Sequence, residues 1–207
     1  MYPCTRGPAP EPIAQHRDEL GAGWRRQREA WVADRAAGVP TRPPVFRWPQ
    51  HEGEALDAIA RRELLRMTSD HCCYCDVAPL DGAEVDHFRP KSRPEFYDLV
   101  CDWDNLLVSC GPCNNGKGED WDPRLLRPDE PGFAFARYFV VDFETGAISP
   151  NNAATEADQQ RAQVTIDTLK LYRPAAKKLR KVMWNVLRRA DAGERPLLAC
   201  RFLADYF

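Results

Sequence analysis

The sequence predicts an α+β protein in which a small strand–strand–helix (ββα) unit is wrapped by N- and C-terminal helices and followed by a small β-hairpin. Three observations predict it. Two Cys-x-x-Cys pairs, Cys72/Cys75 and Cys110/Cys113, bracket two short strand-like stretches; apolar residues recur at helical spacing before and after them; and a later apolar stretch turns back on itself at a glycine. The cysteines also bring in a metal. Two such pairs a few tens of residues apart have the ligand count and soft-sulfur chemistry of a closed tetrahedral zinc site with every thiolate in use. Such a site is structural, so chemistry is expected from the polar residues it holds in place: Asp86, His87, Asn105 and Asn114. That set can bind one hard cation and activate one water.

The chain of 207 residues, 43% hydrophobic, is long enough for a domain of ordinary size or for a small module wrapped by helices, and the second is expected. The segments are 1–67 (an extended start and helices), 68–122 (the zinc-bound core) and 123–207 (hairpin and basic helices). No apolar run reaches the roughly 18 residues of a membrane span. The start Met1-Tyr2-Pro3-Cys4-Thr5-Arg6 lacks the apolar stretch of a secretion signal, so a cytoplasmic location is expected. In that reducing compartment a metal accounts for the paired cysteines better than disulfides do. Cys4, Cys73, Cys101 and Cys200 are read as small buried or solvent-tolerant thiols.

Net charge is only -2, but it is unevenly spread. Residues 1–71 carry +1, 72–122 carry -7 and 123–207 carry +4; residues 170–201 alone hold ten basic groups against Asp191 and Glu194. An acidic centre beside a basic tail suits a cation site next to a helix that holds phosphates, or else the basic residues are simply a solvated helix face.

Taken in order, residues 3–12 are Pro-rich and expected to be extended. A helix follows over Arg17 to Ala37, with a partial stripe of Trp24, Gln27, Trp31, Val32 and Arg35, stopped by Gly38 and Pro40. Residues 40–49 form a linker whose Phe46 and Trp48 dock onto the body. From Glu54 to Met67 the positions Leu56, Ile59, Ala60, Leu64 and Met67 make an amphipathic helix that delivers the chain into the first knuckle. Leu80-Asp81-Gly82 is a turn, 83–88 alternates as a strand, and 97–104 is short and irregular with Trp103 buried. Residues 105–109 make the second strand, and a helix opens at Asn114. Downstream, 137–150 is a hairpin turning at Gly146, and Thr155-x-x-Asp158 caps a helix to about Leu171. Pro174 starts a last helix with a buried stripe of Leu179, Val182, Met183, Val186 and Leu187.

The pattern Cys-x-x-Cys, Val85-Asp86-His87, Asn105-Leu106-Leu107, Cys-x-x-Cys-Asn114-x-x-Lys117 resembles the HNH endonucleases, whose ββα-metal fold cleaves nucleic acid. The strings from Glu84 to Lys91 and from Asp102 to Cys113 narrow the resemblance to the HNH subunit of the Septu and retron-associated bacterial anti-phage systems, as do Arg6-Gly7-Pro8 and Gly146 to Pro150. Residues 13–53 match weakly.

The resemblance implies His87 as general base, Asp86 and Asn114 as ligands of a catalytic Mg²⁺ or Mn²⁺, and Asn105 as the residue that orients His87. A neutral imidazole can take a proton from water if its tautomer and orientation are held, and Asp86 offers the hard oxygen that such a cation prefers. Many HNH enzymes have His where this chain has Asn114, and an amide oxygen suits Mg²⁺ or Mn²⁺ better than Ni²⁺ or Zn²⁺. Arg89, Lys91 and Lys117, with Lys177, Lys178 and Lys181 of the basic tail, are candidate phosphate contacts or structural counter-ions. The resemblance also implies a DNA substrate and an ABC-type ATPase partner that gates the nuclease. Two alternatives stand beside this: RNA cleavage by the same site, and a zinc-ribbon module that binds nucleic acid or protein without catalysis, for which Asp86 and His87 would be dispensable.

Overall fold

The computed structural model describes residues 1–78, 82–195 and 198–206. Leu80 and Asp81 of the expected turn lie outside them; Gly82 is described and has the left-handed φ of +107° that favours glycine. The contacts divide the chain into two compact units that interleave in sequence: Met1–Arg6, Met67–Glu84 and Val108–Phe207 form one, Gly7–Arg66 and Val85–Leu107 the other. No helix among the described residues is long and apolar enough to cross a membrane.

In the Gly7–Arg66/Val85–Leu107 unit, helix α1 spans Glu11–Ala36, six residues earlier than the periodicity suggests. Pro12 lies in the first turn, where a missing N–H costs nothing, so the Pro-rich start feeds the helix rather than delaying it. Its buried residues are Ile13, Gly21 and Trp24, whereas Val32 is about half exposed; the far end of the expected stripe is solvated. Gly21 lets α1 press onto a 3₁₀ turn, Pro94–Leu99, because a Cβ there would sit 2.6 Å from the Asp98 carbonyl oxygen. Arg25 locks the contact with two bonds to the Asp98 carboxylate, 2.7 and 2.5 Å. A tight hairpin, β1 Gln50–His51 and β2 Glu54–Ala55, turns through Glu52 and Gly53, both at positive φ as a type I′ turn requires. Helix α2, Leu56–Thr68, buries Leu56, Ile59, Ala60 and Leu64, four of the five positions expected; the fifth, Met67, is half-buried.

Strands β3, Glu84–His87, and β4, Leu106–Ser109, form a two-stranded sheet. All four residues of β4 are buried. Helix α3, Gly111–Lys117, opens on Cys110 instead of at Asn114, since Pro112 belongs in its first turn; Cys113, Asn114 and Lys117 therefore share one short helix. Strand, strand and helix thus follow in the expected order.

The other unit continues with a short helix α4, Phe135–Tyr138, and the antiparallel pair β5 Phe139–Val141 and β6 Ile148–Pro150. The expected hairpin is present but shorter, because Phe135–Tyr138 is helical before the strand begins. Gly146 meets two demands at its turn: φ is +72°, and a Cβ would lie 2.0 Å from the Lys177 carbonyl oxygen. Helix α5, Glu156–Thr168, starts at Thr155, whose hydroxyl accepts from Asp158 N at 3.2 Å.

Helix α6, Pro174–Leu187, starts at Pro174 and buries Leu187 of the expected stripe, with Leu179 and Met183 half-buried, but it is turned so that Ala176 and Arg180 are inside while Val182 and Val186 are exposed. The reason is Arg180. Its guanidinium donates to the carbonyls of Gly146 and Leu171, both at 2.7 Å, and Trp184 stacks on Phe143 at 3.7 Å, which fixes the rotation of the helix.

Candidate functional site

The four cysteines come together. Cys72, Cys75, Cys110 and Cys113 place their sulfurs within 4.8 Å of one another, and Cys75 and Cys110 are 3.7 Å apart. Tetrahedral zinc with bonds of about 2.3 Å implies sulfurs about 3.8 Å apart, so the donor set and its spacing fit zinc. The knuckles brace each other through backbone: Cys73 N donates to Val108 O at 3.1 Å and Cys110 N to the Cys72 sulfur at 3.3 Å. Shared protons split the thiols, as bonding to Cys110 pushes Cys75 well above its ordinary value and bonding to Cys113 pulls Cys110 down. A bound cation removes that competition by holding all four as thiolates.

Two arginines that the sequence reading counted as part of a basic tail serve this centre instead. Arg173 donates to the Cys113 sulfur at 3.2 Å and to the carbonyls of Pro112 and Leu169 at 2.8 and 2.9 Å. Arg201 closes on Asp76, the residue after Cys75: its backbone N–H, Nε and Nη2 donate to the Asp76 carboxylate, the last at 2.6 Å, and Nη2 also donates to Thr68 O at 3.0 Å. Both partners are buried. Removing the carboxylate would leave a guanidinium buried without its counter-charge, so Asp76→Ala is expected to cost about 3–5 kcal/mol. In a melting experiment that is a loss of roughly 10 °C, partly restored by adding Arg201→Met. A melting point that does not move would show that the pair contributes nothing.

Asp86 and His87 are adjacent on β3 and both buried, so their side chains leave on opposite faces of the strand. His87 Nε2 lies 2.8 Å from Val100 O. A carbonyl only accepts, so Nε2 carries a proton, and in the neutral ring Nδ1 is then the basic nitrogen. The imidazole is also walled by aromatics: the Trp48 indole stacks on it with centroids 6.0 Å apart and planes at 21°, and Phe46 meets it edge-on at 6.3 Å. The 40–49 linker therefore docks its two aromatics on His87 and on Trp24 of α1. Nothing in the sequence pattern points to that pairing.

Asn105 acts differently from the expectation that it holds the His87 ring. Its Oδ1 accepts from Arg89 N at 2.8 Å, and its Nδ2 donates to Arg89 O and Leu99 O, both at 3.1 Å. The amide therefore ties the residues after β3 to the residues before Val100. Phe88 N, donating to Asn105 O at 2.9 Å, tightens the same junction.

In the cysteine unit, Asn114 Nδ2 donates to Glu84 at 2.5 Å, which leaves the amide oxygen for other work. Glu84 was missed from sequence; the available signal was its position two residues before Asp86, on the same face of β3. Among the candidate phosphate contacts, Arg89 is exposed and lies over Phe96, Lys91 is half-buried with its carbonyl accepting from Trp24 Nε1 at 2.7 Å, and Lys178 and Lys181 are exposed with Lys177 half-buried. Lys117 is not a surface contact. It is 1% exposed at the end of α3, a buried cation inside the fold.

No protein-family model matches the chain. Among curated proteins it is 29% identical over 113 residues to "Septu protein PtuB" of Bacillus thuringiensis, covering 52% of this chain and 39% of that protein. It is 30% identical over 80 residues to the Septu protein PtuB of Bacillus mycoides, 32% of this chain and 27% of the relative. With "Retron Vc95 putative HNH endonuclease" of Vibrio cholerae it shares 26% identity over 131 residues, 60% of this chain and 62% of the relative. The chain resembles the HNH nucleases of Septu and retron defence. The matched regions span less than two thirds of each relative, 39%, 27% and 62% of their lengths.

Proposed function

We propose that the chain is a metal-dependent HNH endonuclease that hydrolyses phosphodiester bonds, with DNA as its substrate, and that it is the effector subunit of a bacterial anti-phage system in which an ABC-type ATPase gates it. The observation that carries the reading is the setting of His87. One ring nitrogen is committed to a backbone carbonyl and the ring plane is walled by aromatics, which is how a general base is held in one tautomer and one orientation. The similarity to Septu and retron proteins supports the rest.

In this reading His87 Nδ1 takes the proton of the attacking water. Asp86 supplies a carboxylate to the catalytic cation and Asn114 an amide oxygen, with Glu84 holding the amide so that oxygen, not nitrogen, is presented. A bound Mg²⁺ or Mn²⁺ would neutralise charge on the scissile phosphate and on the leaving 3′-oxygen. Zinc in the four-cysteine cluster has no open position and serves the fold. Arg89 and Lys91, with Lys177, Lys178 and Lys181, are the basic groups left to meet phosphates.

The test is cleavage of plasmid DNA and of total RNA by the wild-type chain and by His87→Ala, with zinc retained and Mg²⁺ or Mn²⁺ added, with and without the ATPase of the same system. Cleavage that needs the added cation and His87 supports the nuclease, and the substrate cut decides between DNA and RNA. Binding of nucleic acid with no cleavage, equal in both proteins, would make the chain a binding module.

A further inference from the structure

We infer that Trp48 is a positioning residue for His87, the second half of a clamp whose first half is the Val100 carbonyl. The inference deepens the nuclease reading and rests on it. The carbonyl fixes one nitrogen of the ring by a 2.8 Å bond, but a single bond still allows the ring to tilt about it. The Trp48 indole lies nearly parallel to the imidazole, 21° between planes, and Phe46 stands at 88° to it. Rotation about the bond that carries the ring would break this near-parallel arrangement. The plane and the hydrogen bond together leave Nδ1 one direction in which to present its lone pair. Stacking covers a face of the ring and leaves the in-plane direction of Nδ1 out of its way, so the contact constrains the base without occupying the position of the proton it takes.

The clamp is built from sequence remote from the motif. Phe46 packs edge-on against Trp48 at 5.1 Å and against Trp24 of α1 at 5.6 Å. Trp24 is 3% exposed, and its Nε1 donates to Lys91 O at 2.7 Å, so it is fixed at both ends. Helix α1 is pressed onto Pro94–Leu99 through Gly21 and Arg25, just before Val100 itself. Segment 11–48 thus supports both halves of the clamp. Pro43, Pro44 and Pro49 stiffen the linker, which lowers the entropy lost in seating its two aromatics.

The experiment measures steady-state cleavage by Trp48→Ala and Trp48→Phe alongside the imidazole ¹⁵N signals of each protein, with His87→Ala used to assign the His87 resonance and melting used to confirm folding. The expected result is a fall in kcat of about 10–100-fold for Trp48→Ala with KM unchanged, most of it recovered in Trp48→Phe, because a misplaced base loses rate and not binding. The His87 signals should change from the pattern of an Nε2–H tautomer to an averaged one in Trp48→Ala. Cleavage by Trp48→Ala as fast as or faster than wild type would overturn the clamp and make the linker a cover. If no protein cleaves, the nuclease reading fails separately, and unchanged ¹⁵N signals in Trp48→Ala would still overturn the clamp.

Discussion

Chelation of the metal from Cys72, Cys75, Cys110 and Cys113 is expected to unfold the unit that contains them. The four side chains come from a loop after α2 and from the start of α3, and a zinc held by all four would link these two stretches with metal–sulfur bonds. Cys72 and Cys113 are fully buried and Cys75 and Cys110 half-buried, so without a cation four protonated or repelling sulfurs would be left crowded together. Structural zinc in small modules carries about 10–16 kcal/mol of apparent binding free energy at neutral pH, against about 5–15 kcal/mol for the stability of a whole domain. A metal contribution of that size is comparable to the whole net stability of a domain. Asp76 and Arg173, one beside Cys75 and the other on the Cys113 sulfur, tie the C-terminal segments to the same centre, so the loss should spread to α6 and the Arg201–Tyr206 turn. Near-UV circular dichroism and thermal melting in reductant, before and after a strong chelator, measure it. A melting curve that chelation leaves unchanged would remove zinc from the account of the fold.

How much of this was legible in the sequence follows from the range of each interaction. Each Cys-x-x-Cys pair, the capping threonine at 155 and the buried face of α2 are set by residues three or four apart, or by repeats of that spacing, and the chain shows them directly; the two pairs meet across 35 residues because both carry the same metal-ligand pattern. Partners far apart left no such mark. Asp76 and Arg201 are 125 residues apart, and neither sits in a pattern that asks for the other. The face of α6 was misread for a physical reason: periodicity ranks Val182 and Val186 as core, but a buried arginine satisfied by two carbonyls outweighs two valines in setting the helix rotation. Lys117 stood open between phosphate contact and structural counter-ion, because pattern alone does not give burial, and its 1% exposure favours the second. Asn105 is expected from sequence to hold the His87 ring, yet an amide can hold a ring or hold backbone, and only the structure shows that it holds Arg89 and Leu99.

That distinction makes Asn105→Asp as informative as removal of His87. His87→Ala deletes the proposed base and is expected to lower cleavage by about 10²–10⁴-fold, the usual range for general-base catalysis. Asn105→Asp keeps size and shape but loses both Nδ2 donors and turns negative oxygen toward the carbonyls of Arg89 and Leu99, at a position only 3% exposed. Each carbonyl left without its donor costs about 1–3 kcal/mol, so the junction is expected to open and carry Val100 with it. His87 Nε2 then loses its acceptor, the tautomer preference goes, and Nδ1 no longer faces the water in one direction. Cleavage should fall about 100-fold although Asn105 touches neither substrate nor ring. The melting point should fall too, and because His87→Ala also leaves the Val100 carbonyl without its donor, it is the ratio of lost rate to lost stability that differs between the two variants. Rates and melting curves for the two variants separate these effects. A stable Asn105→Asp that cleaves at the wild-type rate would show that the Val100 bond to His87 does not depend on the amide, and the orientation of the base would then have to come from the aromatic wall alone.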